Sequence, residues 1–128
     1  MREKPTLPRS ELQVMKVIWQ KGEASVRDVW EVLYPEKKLA YTSIASTMRK
    51  LEEKGFLTHE IRGRTYIYRP LIGEEEVSKG MVKDLIDRLF EGSAERLLMT
   101  LVEAKKIDEE ALERIRRKIS GAREREGG

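Results

Sequence analysis

Ala40-Tyr41-Thr42-Ser43-Ile44-Ala45-Ser46-Thr47-Met48-Arg49-Lys50-Leu51-Glu52-Glu53-Lys54-Gly55-Phe56-Leu57 is the stretch that decides the fold. Ile44, Met48 and Leu51 stand at i, i+4 and i+7, so a helix places them on one face. The spacing predicts a helix over 42–54 with Thr42 as N-cap and Gly55 as the left-handed stop. Its opposite face carries Ser43, Ser46, Thr47, Arg49 and Lys50, short hydroxyls and cations with no acid before Glu52. Such a face suits a DNA groove, where carboxylates would repel phosphates.

Downstream the period changes. Residues 56–61 and 65–69 are rich in β-branched and aromatic side chains and read as two strands joined through Arg62-Gly63-Arg64. A hairpin with a basic tip directly after such a helix is the arrangement of a winged helix, whose wing reaches phosphates or a minor groove. Pro70 closes the module. Upstream, Ser10 with Gln13 forms a capping-box pattern for a first helix bearing Leu12, Val14, Met15, Val17, Ile18 and Trp19, stopped at Lys21-Gly22. Ser25 with Asp28 opens a second helix whose inner face is Val26, Val29, Trp30 and Leu33, and Tyr34-Pro35 is expected to end it.

The remainder reads as helical. Glu74-Glu75-Glu76 starts a helix with apolar Val77, Met81, Val82, Leu85, Ile86, Leu89 and Phe90. Ser93 caps a second with Leu97, Leu98, Leu101 and Val102, and Asp108 a third with Ala111, Leu112, Ile115 and Ile119, ending at Gly121. Three apolar-faced helices in about 50 residues bury too little alone, so a second copy is the expected partner, through Met81, Leu85, Leu89, Leu97, Leu98, Leu101, Leu112, Ile115 and Ile119. The Leu97–Val102 run reads as dimer core rather than as a ligand pocket. The expected organisation is a winged-helix DNA-binding domain over 1–72, a three-helix dimerisation domain over 73–122 and a tail over 123–128. The fold class is mainly α with one small β-hairpin.

Charge agrees with that division. The 128 residues hold 26 Lys/Arg and 23 Asp/Glu, a net +3 that says little about nucleic acid. Residues 1–72, however, hold 14 Lys/Arg against 9 Asp/Glu, and residues 73–128 hold 12 against 14. A basic module is thus joined to a slightly acidic one, as expected for a polyanion binder fused to something with another task. The absence of cysteine excludes disulfides, thiolate metal sites and cysteine nucleophiles. No apolar run is long enough to span a membrane and Met1–Arg9 has no signal-peptide core, so a cytoplasmic protein without membrane partner is expected. His59, the one histidine, lies beside Glu60 in a predicted strand and reads as structural. No metal or cofactor motif appears, and an enzyme is not expected.

Leu12-Gln13-Val14-Met15-Lys16-Val17-Ile18-Trp19, Val26-Arg27-Asp28-Val29, Ala40-Tyr41-Thr42-Ser43-Ile44 and Lys50-Leu51-Glu52-Glu53-Lys54-Gly55-Phe56-Leu57 together resemble the penicillinase-repressor family, the BlaI/MecI type, to which CopY-type repressors also belong. The wing Arg62-Gly63-Arg64-Thr65-Tyr66-Ile67-Tyr68-Arg69-Pro70 is similar to that family's Gly-Arg-x-aromatic-x-Tyr-x-Pro ending. Over residues 7–120 the resemblance implies a homodimeric repressor on a palindromic double-stranded DNA operator, with the recognition helix on Thr42–Leu51 and the wing tip on Arg62–Arg64. It also brings in a sensor or protease that controls release. The family's scissile Asn-Phe falls near Thr100-Leu101, where neither residue matches, so that cleavage is not carried over. Nor is the cysteine-based metal response of CopY-type members. Thr42, Ser43, Ser46 and Thr47 are expected near base edges or phosphates, and Arg49, Lys50, Arg62 and Arg64 on the backbone with Arg27 as an extra contact. Tyr41 has two readings, a DNA contact or a hydrophobic staple at the helix start. The alternative function is a winged-helix module of the transcription machinery used only for protein–protein contact.

Overall fold

The computed structural model describes residues 6–127, with side chains as far as Arg123. Elements follow one another as α1 (Arg9–Lys21), α2 (Val26–Lys37), α3 (Tyr41–Glu53), β1 (Leu57–Arg62), β2 (Thr65–Pro70), α4 (Glu74–Leu89), α5 (Ala94–Glu103) and α6 (Glu109–Gly127). They form two compact units, 1–84 and 85–128. The first is a three-helix cluster with an antiparallel hairpin, a winged helix followed by the first turns of α4.

Its core is the set of apolar residues that share helix faces in the sequence. Val14, Met15 and Ile18 of α1, Val29 of α2, and Ile44, Met48 and Leu51 of α3 are buried together with Phe56, Leu57, Tyr68 and Ile72. The Trp19 indole Nε1 donates to the Ile72 carbonyl at 2.8 Å, fastening α1 to the strand exit. Val77 is buried in the same core and Met81 packs against it. The unit therefore runs past the expected module end at 72, and Met81, expected on the pairing face, is used inside the chain.

Several ends differ from expectation for local reasons. Ser10 is not the cap of α1: Pro8 is, its carbonyl accepting the Leu12 N–H at 2.9 Å, and no side chain caps. Neither is Thr42 the cap of α3, because Ala40 holds that place and accepts from Ser43 and Ile44 at 3.0 and 3.1 Å. The Thr42 hydroxyl consequently stays on the outer face. Pro35 lies within α2, where it removes one helical hydrogen bond near the end, and the chain turns only at Lys38, with φ 53. α6 passes through Gly121 and the expected tail to Gly127. Ser25 and Asp28 do form a reciprocal capping box, at 3.0 and 3.1 Å.

The second unit contains the end of α4, α5 and α6. Ser93 accepts from the Arg96 N–H at 3.1 Å and Asp108 from the Ala111 N–H at 2.8 Å, as the caps predict. Among its described residues only Phe90 is buried. Leu97, Leu101 and Leu112 are half-buried, while Leu85, Leu98 and Ile115 are exposed, as are Leu89 and Ile119, at 61% and 59%. No helix among the described residues is long and apolar enough to cross a membrane.

Candidate nucleic-acid interface

Helix α3 is oriented by its buried side, so what it shows is fixed by period. With Ile44, Met48 and Leu51 inward, Thr42, Ser43, Ser46, Arg49 and Lys50 are exposed and Thr47 is half-buried. Thr47 Oγ1 donates to the Ser43 carbonyl at 2.9 Å, which occupies its proton within the helix. No acid stands in the first turn, and no side chain caps the N-terminus, whose N–H groups and dipole favour an anion.

A cleft of about 540 Å³ runs beside this face, lined from three elements: Ser25, Val26 and Arg27 from the start of α2, Tyr41, Ala45 and Arg49 from α3, and Arg64, Thr65, Tyr66 and Tyr68 from the wing. Three of these are cations and none is an acid. Arg49, Lys50 and Arg64 make no ion pair with any described residue; Arg27 pairs with Glu31 at 3.0 Å. That pair is exposed and worth little, so a phosphate can displace the carboxylate. Tyr41, 47% exposed, lines the cleft and also meets Trp30 edge-on at 6.1 Å.

The wing is built by an antiparallel register running from Leu57↔Pro70 to Arg62↔Thr65. That register leaves a two-residue loop, Gly63-Arg64, with Gly63 at φ 66, the left-handed first position of a type II′ turn. Arg62, expected in the tip, is therefore the last residue of β1. Alternation then gives the hairpin two faces. On the inner one, His59 stacks on Tyr66 (4.2 Å, 7°) and lies 5.5 Å from Tyr68, while its Nδ1 is 2.5 Å from Oε2 of Glu52 at the end of α3. The structural reading of His59 is thus met by a contact that joins helix to wing. Burial, with Glu52 nearby, raises the Tyr68 phenol above its ordinary value and keeps it neutral.

The outer face holds Glu60, Arg62 and Arg69 together with Glu23 from the α1–α2 connection. The Arg62 guanidinium, with Arg69 assisting, holds the Glu23 carboxyl below its usual value against a smaller opposing effect of burial. A depressed carboxyl contributes its stability above the unfolded value and loses it as pH falls through the folded one. Glu23→Gln is accordingly expected to lower the thermal midpoint at neutral pH, with the gap to the parent chain closing in acid. A gap that persisted there would contradict the ion-pair origin.

Of the residues expected at the interface, the structure brings Arg27, Tyr41, Arg49 and Arg64 to one cleft and sets Thr42, Ser43, Ser46 and Lys50 on the adjoining helix face. Arg62 is turned away from them into ion pairs. Tyr66 and Thr65 line the cleft without having been anticipated; a two-residue loop length would have placed both.

Comparison with known proteins finds the same architecture. The penicillinase repressor family profile matches residues 7–121. The penicillinase repressor of Bacillus licheniformis is 26% identical over 103 residues, covering 80% of each chain. The solution structure of the DNA-binding domain of the repressor BlaI is 32% identical and superposes with a TM-score of 0.53, covering 59% of this chain and 93% of that one. The monomeric form of Bacillus licheniformis BlaI, solved in complex with the blaP half-operator, gives 32% identity, a TM-score of 0.50 and the same coverage.

Proposed function

The chain belongs to the penicillinase repressor family, and on that premise we propose that it is a DNA-binding transcriptional repressor whose first unit reads an operator and whose second unit pairs two copies. The family is one of repressors rather than enzymes. The observation that carries the reading is the cleft between α2, α3 and the wing, lined by no acid among the described residues, with Arg49 and Arg64 on its walls, unpaired among those residues, beside the hydroxyl face of α3.

In this reading α3 lies in the major groove. Thr42, Ser43 and Ser46 reach base edges, where short hydroxyls donate to or accept from either base. Arg49, Lys50 and Arg64, with Arg27 released from Glu31, hold phosphates and fix the register without reading sequence. Tyr41 stands where both of its roles are open to it, its ring meeting Trp30 and its side chain lining the cleft. Pairing of the second unit is supported by the apolar side chains it leaves open, Leu85, Leu89, Leu98, Ile115 and Ile119. A two-fold dimer would set two recognition helices about one turn, ~34 Å, apart on an inverted repeat.

Selecting fragments of the source genome with the full chain tests this. The expected product is an inverted repeat with half-site centres separated by whole turns. Enrichment of no common sequence would favour a module that binds protein instead.

A further inference from the structure

The outer face of the wing is neutralised with the help of a carboxylate from the α1–α2 connection. Arg62 donates from Nε to Glu60 Oε1 at 2.8 Å, from Nη1 to Glu23 Oε2 at 2.5 Å and from Nη2 to Glu23 Oε1 at 3.1 Å. Arg69 donates to the same two carboxylates, from Nε to Glu23 at 3.1 Å and from Nη2 to Glu60 at 2.9 Å. Two guanidiniums and two carboxylates leave no net charge. Glu23 is brought there by backbone: its neighbour Ala24 pairs with Tyr68 of β2, each N–H donating to the other's carbonyl at 2.9 and 2.8 Å. Since Ala24 and Tyr68 turn inward and are buried, Glu23 and Arg69, one residue along, both turn outward. The network thus fastens the hairpin to the connection that precedes α2. Arg64 at the tip stands outside it.

We propose that Arg62 and Glu23 are positioning residues that hold the wing against the helical cluster, and that Arg64 is the wing's phosphate-binding cation. The proposal rests on the DNA-binding reading and deepens it. It also separates two arginines that the sequence pairs as equivalent clamps.

The two assignments give opposite signs for one substitution. Were Arg62 a phosphate ligand masked by Glu23, removing the carboxylate would free it, tighten binding and steepen the salt dependence. As a brace, Glu23→Gln loosens the wing and weakens binding although a negative charge has gone. The test is a salt series of the full chain and its variants on one duplex recovered by genomic selection. Arg64→Ala is expected to flatten the log–log slope by about 0.9 per bound protomer. Arg62→Ala and Glu23→Gln are expected to weaken binding about two- to fivefold at every salt concentration with the parent slope, the range of a single exposed ion pair. Their combination is expected to be no weaker than Glu23→Gln alone, since that change already removes the links of both Arg62 and Arg69 to the connection.

A flattened slope for Arg62→Ala, or tighter binding by Glu23→Gln, overturns the proposal. The brace also has a readout that needs no DNA: amide exchange at Ala24 and Tyr68 is expected to quicken in Glu23→Gln. Unchanged exchange there overturns it equally. A parent chain that shows no salt-sensitive binding would instead overturn the DNA-binding reading, and the exchange measurement would still decide the brace.

Discussion

Lys54→Met is expected to destabilise the winged helix by about 3 kcal/mol, well beyond the effect of Glu11→Gln at the other end of the same ion pair. Lys54 Nζ donates to both carboxylate oxygens of Glu11 at 2.9 Å, joining the first turn of α1 to the end of α3. The burial of the partners is unequal: the Glu11 side chain is 6% exposed and that of Lys54 38%. Taking away the lysine strands a desolvated carboxylate. Taking away the carboxylate leaves an ammonium that can swing into water, and Glu11→Gln is expected to cost about 1 kcal/mol. Replacing both, as Glu11→Leu with Lys54→Met, is expected to recover most of the loss, because the apolar pair has no charge to desolvate. Denaturant midpoints of the three variants check the ordering. Equal losses from the two single substitutions would mean that the pair behaves as an ordinary surface contact. Because Lys54 caps α3, the weaker variants are also expected to bind DNA less well in proportion to lost helix order.

The second large effect concerns pairing. Leu98→Glu with Val102→Glu places two carboxylates one turn apart on α5, at positions 38% and 39% exposed in the single chain. Neither residue is needed to fill the unit's interior, so the monomer is expected to stay folded. In a dimer interface the same carboxylates would be buried unpaired, and association is expected to fail. Binding to an inverted repeat then loses the advantage of two linked contacts, about 10²- to 10⁴-fold, whereas binding to an isolated half-site is unchanged. Sedimentation equilibrium beside the two titrations decides it. A variant that remained dimeric would place the interface elsewhere, and an unaffected inverted-repeat affinity would show that pairing does not contribute to recognition.

The helices and hairpin were legible because each rests on a short-range pattern. Ile44, Met48 and Leu51 at helical spacing, the glycines at 22 and 55, and the alternating 65–69 segment all signal their structure locally. The exposed face of α3 was legible for the same reason, since burying one face leaves the other determined. What the local pattern could not carry was anything decided by a partner far along the chain. Glu11 sits where a helix dipole alone would favour an acid, so nothing in its neighbourhood announces Lys54, 43 positions on. Arg62 and Arg64 flank one glycine symmetrically, and only the register decides that the first is a strand residue facing Glu23. Ser10 and Thr42 are good capping residues beside helix starts that the backbone places one or two positions earlier. Pro35 ends a helix by rule, yet near the last turn it removes a single hydrogen bond and the helix continues to Lys37.

In the proposed function α3 reads a DNA sequence while the wing holds the backbone. The deciding measurement is competition at physiological salt between a duplex carrying the genomically selected repeat and the same duplex with the repeat scrambled. A preference of about 10³-fold or more for the repeat is expected. Equal affinity for the two duplexes would contradict it.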